Sequence, residues 1–169
     1  MKNDSRSWDM GHELTRNLTY RILYGMRATV EEILLQSSDD QFITTTFVSN
    51  EPSVTPSVIV LGIEVHSGDL LISRGGAEVS AFISRGNDYP GNFSHVAIIH
   101  IDKETNEPYF VEAHIEKGVA LASLDEYLND KKLRFMVMRP RADLLQMIEN
   151  PMLPYEASLY IYNESQTRH

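Results

Sequence analysis

An α+β fold, a small antiparallel sheet with flanking helices, follows from three observations. Apolar residues near the N-terminus recur every three or four positions, the mark of an amphipathic helix. Short alternating runs separated by turn residues then occupy the middle of the chain, as in strands and hairpins. Helical spacing returns toward the C-terminus. Helix first, antiparallel strands next and helices last is the order of an α+β architecture.

The N-terminal helix is expected from Trp8, its anchor, to about Gln36, with Leu14, Leu18, Ile22, Met26, Val30, Ile33 and Leu34 on its apolar side. It reads as a packing arm, ending in the polar turn Ser37-Ser38-Asp39-Asp40. Gln41–Val48 is rich in Thr, Phe, Ile and Val and reads as a strand. Residues 1–50 therefore form a helical arm and strand, and residues 51–169 a second domain. In that domain Val58–Val65 reads as one apolar strand and Asp69–Ser73 as the next, followed by a short helix over Ala77–Ser84. Arg85–Asn92 is turn chemistry throughout. His95–Ile101 and Tyr109–Ile115 form a hairpin, and a short strand follows over Val119–Leu121. Ser123 and Glu126 make a capping box opening a helix over Leu124–Asp130. A strand over Leu133–Met138, a helix over Asp143–Glu149 and a final helix reaching about Gln166 complete the chain.

Composition excludes several function classes. A net charge of −9 over 169 residues argues against nucleic acid, whose phosphates demand clustered Lys and Arg. The longest apolar run, Val58–Ile63, is far too short to span a bilayer, and the N-terminus lacks the apolar segment of a signal peptide. A soluble protein of unassigned compartment is expected. The chain has no cysteine, which removes disulfides, thiolate metal sites and a thiol nucleophile from these residues.

Strand parity selects the candidate chemistry. His95 shares a face with Ala97 and Ile99, while Phe110, Glu112 and His114 share a face of the partner strand. If Asp102 pairs with Glu107, Ala97 faces Glu112, and Glu112 becomes a diagonal neighbour of His95. A carboxylate beside an imidazole fixes its tautomer and raises its basicity, as a general base requires. A stabilising pair on a solvated sheet face fits the same pattern. Ser94 points to the opposite face and cannot pass its proton to His95 without a bulge. His95, Glu112 and His114 would also suit Zn²⁺ or Fe²⁺, although their spacing matches no standard metal motif. Gly68 permits a tight strand entry, and Asp69 is placed to bond backbone amides there.

Gly68-Asp69-Leu70-Leu71, Ser94-His95-Val96-Ala97-Ile98, Phe110-Val111-Glu112-Ala113, Gly118-Val119 and Leu124-Asp125-Glu126-Tyr127-Leu128 occur in an order that resembles the YiiX-like cysteine hydrolases. These are the circularly permuted branch of the NlpC-type papain-like fold, and the resemblance covers residues 62–140. It implies that His95 is the general base and Glu112 its orienting partner, acting on a small amide, peptide or ester. Candidate substrate contacts are Asp69, Asn92, Ser94 and His114, with specificity residing in the loop Arg85–Asn92 and in the expected segment that carries the thiol. It implies no metal and no other cofactor. The nucleophile would come from a Cys-Ser-Glu-like helix start, and the order of motifs places that cysteine beyond His169. A truncated hydrolase is therefore expected, inactive as it stands, with an exposed sheet face that favours a homodimer. The alternatives are a non-catalytic ligand-binding homologue and a His/Glu/His metal-binding protein.

Overall fold

The computed structural model describes residues 7–38, 51–86, 91–114, 118–129 and 131–167. The chain divides into two compact units, Met1–Thr45 and Thr46–His169. In the first unit α1 runs from Glu13 to Gln36, and the Ser37 amide and hydroxyl both close on the Ile33 carbonyl. Arg27 and Glu31 pair at 3.2 Å, one turn apart. The expected strand Gln41–Val48 lies outside the described residues.

The second unit is built on a five-stranded antiparallel sheet of β3 (Leu70–Gly75), β4 (His95–Ile101), β5 (Pro108–His114), β6 (Gly118–Ser123) and β7 (Lys132–Met138), ordered β6-β5-β4-β3-β7. A local turn sets the central register. Asp102 Oδ1 accepts from the amides of Glu104 and Thr105, Asn106 takes the left-handed conformation, and the Asp102 amide donates to the Glu107 carbonyl at 3.0 Å. Ala97 therefore faces Glu112, the register expected from the sequence.

One expected element is corrected. Val58–Val65 is not a single strand but a tight hairpin of β1 (Ser57–Val60) and β2 (Ile63–His66). Leu61 and Gly62 both have positive φ, the signature of the two-residue turn whose twist matches antiparallel strands. A leucine in that conformation is uncommon, so an apolar run gave no sign of the reversal. β3 also runs two residues beyond the expected Ser73, because β7 pairs it through Arg74 and Gly75 across a register shift.

Period-two alternation divides the sheet's burial. Leu71, Ala97, Ile99, Ile101, Phe110 and Ala122 are buried with Val60 and Val65 of the hairpin and Tyr127 of α3 (Leu124–Leu128). Tyr127 stacks on Phe110 with ring centroids 4.6 Å apart. The capping box of Ser123 and Glu126 that starts α3 is formed from both sides. On the opposite face α5 (Leu153–Gln166) covers His100 of β4. A helix α2 (Glu78–Arg85) links β3 to β4, and α4 (Leu145–Glu149) precedes α5. Gly68 lies against the first turn of α5: its φ is 91°, and a Cβ there would lie 2.3 Å from that of Pro154.

His100 is 1% exposed, packed against the rings of Tyr155 and Tyr162, with Nδ1 3.0 Å from Ser158 Oγ. The Ser158 hydroxyl donates to the Tyr155 carbonyl, so His100 Nδ1 is the donor in that contact. Burial depresses the His100 pKa below 6.5, against a smaller opposing effect of Asp102. Below pH 6.5 the unfolded chain therefore takes up a proton that the native chain resists. Stability is full above that pH and falls beneath it, by at most about 1.4 kcal/mol per pH unit for one proton. Urea unfolding at pH 7 and pH 5 should show this loss, and His100→Asn should flatten it. An unchanged pH dependence in the variant would assign the loss to other groups.

Candidate active site

The hairpin of β4 and β5 brings His95 and Glu112 together on the core face, at the end where the packed interior opens into a cleft. Glu112 Oε2 lies 2.6 Å from His95 Nε2, a short charge-assisted contact. Its other oxygen, Oε1, lies 2.9 Å from His114 Nε2. Side-chain exposure rises from 9% at Glu112 to 27% at His95 and 44% at His114, so the carboxylate is the floor and His114 the rim.

Burial raises the Glu112 pKa, but the hydrogen bonds from His95 and His114 outweigh it and hold the carboxyl below its ordinary 4.5. Glu112 is therefore ionised near neutral pH, and an ionised carboxylate only accepts hydrogen bonds. Both imidazoles must then donate through Nε2. In neutral His95 this leaves Nδ1 with the lone pair, the nitrogen able to take a proton from a nucleophile.

The cleft holds about 560 Å³. Ser73 and Gly75 of β3, Val79, Ser80 and Ile83 of α2, and Tyr127 and Lys132 line it around the His–Glu–His cluster. Ser73 faces His95 directly across the β3–β4 ladder, and its Oγ accepts a hydrogen bond from the Tyr127 hydroxyl at 2.9 Å. Sequence reading missed Ser73, because β3 and β4 are joined through α2 and no local turn announces their pairing. It also missed α2. This helix turns Ser84 inward and leaves Val79, Phe82 and Ile83 exposed, the reverse of ordinary amphipathic packing. The unusual outward direction of those apolar residues is not visible in their spacing.

Of the remaining candidates, Ser94 reaches the cleft and Asn92 and Asp69 do not. Ser94 lines the cleft at the entry to β4, with Oγ 3.4 Å from the Ser73 carbonyl oxygen. Asn92 is exposed and absent from the cleft lining, and its carbonyl accepts from Arg134. Within the Arg85–Asn92 loop, residues 87–90 lie outside the described residues. Asp69 is 1% exposed and away from the cleft. Its carboxylate holds the Arg139 guanidinium through both oxygens and accepts the His66 amide. Among the described residues no three His, Asp or Glu side chains are arranged to hold a metal ion. In the His95–Glu112–His114 cluster each Nε2 is instead directed at a carboxylate oxygen.

Also among the described residues, no helix is long and apolar enough to cross a membrane. No significant match to the chain was found among curated proteins or solved structures. Residues 64–152, more than half of the chain, match the permuted papain-like amidases of the YaeF/YiiX type, family C92. That span carries β3, α2, the β4–β5 hairpin and every residue of the His–Glu–His cluster, in the α+β arrangement of five antiparallel strands with flanking helices. The chain belongs to the C92 family of permuted papain-like amidases.

Proposed function

We propose that the second unit supplies the base and substrate cleft of an amidase- or peptidase-type hydrolase that cleaves amide, peptide or ester bonds through a thiol. The observation that carries this reading is the 2.6 Å contact between His95 Nε2 and Glu112, with Nδ1 left as the basic nitrogen. His95 takes the thiol proton, the thiolate attacks the carbonyl, and the same imidazole returns the proton to the leaving group. The 169 residues contain no cysteine, so the thiol is contributed by polypeptide outside them, and these residues alone should show no hydrolysis. Ser94 does not replace the thiol in this reading, since its hydroxyl is turned to the Ser73 carbonyl.

The test is the reactivity of the thiol in the complete gene product. Its cysteine should be alkylated rapidly by iodoacetamide, and His95→Ala should slow that reaction. Equal rates in both proteins would remove His95 as the activating base. A gene product with no cysteine would leave only a ligand-binding homologue.

The α2 wall narrows the substrate. Val79 and Ile83 line the cleft, and Phe82 beside them is 80% exposed. Exposed apolar surface of this kind is stabilised by an apolar group of the ligand. Amides and esters with an aliphatic group near the scissile bond should therefore be preferred. Ile83→Asp should raise KM for such a substrate by roughly tenfold, the order expected for one buried aliphatic side chain. It should leave a substrate with a short polar group unaffected. The same rise for both substrates would exclude the apolar wall as a specificity element.

A further inference from the structure

Glu112 is shared by two imidazoles, and the proposed proton transfer uses only one of them. The terminal torsion of a glutamate is broad, so a carboxylate with one partner can swing and carry that partner with it. Here the second oxygen is tied to His114, whose ring centroid lies 5.7 Å from that of His95. Both tethers come from the core face of one hairpin, whose register is set by the Asp102–Asn106 turn. The other charged side chains lining the cleft belong to other walls. Glu126 is engaged in the α3 capping box, Lys132 lies over the Tyr127 ring, and α2 contributes only Val79, Ser80 and Ile83.

We infer that His114 is a positioning residue: by holding Glu112 Oε1 it fixes the carboxylate so that Oε2 keeps His95 bonded through Nε2, with Nδ1 as the working nitrogen. His114 touches neither thiol nor substrate in this role. The inference rests on the amidase reading for what His95 does, while the geometry it describes is measurable without turnover.

Two variants separate the donor from the ring. His114→Phe keeps a ring on the rim and removes the hydrogen bond; His114→Gln keeps a donor. In the 169-residue chain, carbon-13 titration should show the Glu112 carboxyl titrating higher in His114→Phe than in wild type, because burial is then opposed by His95 alone. Nitrogen-15 spectra should show His95 leaving the pure Nε2–H tautomer in the same variant. His114→Gln should restore both signals. In the thiol-bearing protein, His114→Phe should lower kcat by roughly tenfold with KM unchanged, as expected for a misoriented base.

A Glu112 titration and His95 tautomer untouched by His114→Phe would overturn the inference. So would equal disturbance by Phe and Gln, which would make the ring rather than the hydrogen bond responsible. If both signals behave as expected while the wild-type thiol-bearing protein hydrolyses nothing, the amidase reading fails and the positioning role stands.

Discussion

His95→Ala in the thiol-bearing protein is expected to lower kcat by about 10²–10⁴, the usual contribution of a positioned acid–base group. The physical reason is the proton inventory at one ring. With Nε2 committed to Glu112, the imidazole accepts a proton at Nδ1 and gains a counter-charge 2.6 Å away as it does so. Alanine removes both acceptor and relay. Folding should be nearly unaffected, because His95 is partly exposed and its loss leaves Glu112 still paired with His114. The expected signature is a fall in kcat with little change in KM, together with the loss of the limb of the pH–rate profile that reports the base. Glu112→Gln keeps the shape but removes the charge, and should fall between wild type and His95→Ala. A His95→Ala protein retaining more than a tenth of wild-type kcat would assign the proton transfer elsewhere.

The largest stability effect is expected at Asp69, far from that chemistry. Its carboxylate is 1% exposed and takes Arg139 Nε at 3.0 Å and Nη2 at 2.9 Å, a two-pronged contact that lysine cannot reproduce. The same guanidinium donates to the carbonyls of Glu51 and Glu64, so it ties the end of β7 to the β1–β2 hairpin and the segment before it. Asp69→Ala would leave a largely buried cation without its counter-ion and the His66 amide without its acceptor. Removing one partner of such a pair costs about 3–5 kcal/mol, a large share of an ordinary domain's stability. Urea unfolding measures this directly. The double variant Asp69→Leu with Arg139→Met should recover part of the loss, because no charge is then left stranded. A cost under about 1 kcal/mol for Asp69→Ala would mean that water reaches the pair and screens it.

The two residues show how unevenly the sequence disclosed the molecule. His95 and Glu112 were legible because they sit on adjacent strands of a hairpin. The turn Asp102–Asn106 sets the register, and strand parity then decides the face. The capping box at Ser123 and Glu126 was legible for the same reason, since partners three residues apart need no tertiary information. The β1–β2 reversal was hidden, because it relies on Leu61 in a conformation that leucine rarely adopts. Asp69 was suggestive through its glycine neighbour, yet its principal partner lies 70 residues away. Ser73 beside His95 and the outward-facing Val79 and Ile83 were equally out of reach, since each depends on how β3, α2 and β4 fold onto one another.

Local backbone geometry and composition thus settled three matters without any tertiary knowledge: the sheet-forming hairpin, the shared face of His95 and Glu112, and the lack of a thiol among these residues. Folding in three dimensions decided the rest. It set Ser73 opposite His95, made Asp69 an anchor for Arg139, and lined the cleft with the apolar side of α2. The division has a physical cause. Turn conformation and strand parity are properties of a few consecutive residues. The partner of a buried charge or the wall of a cleft is chosen by desolvation and packing between segments that meet only after the chain has closed.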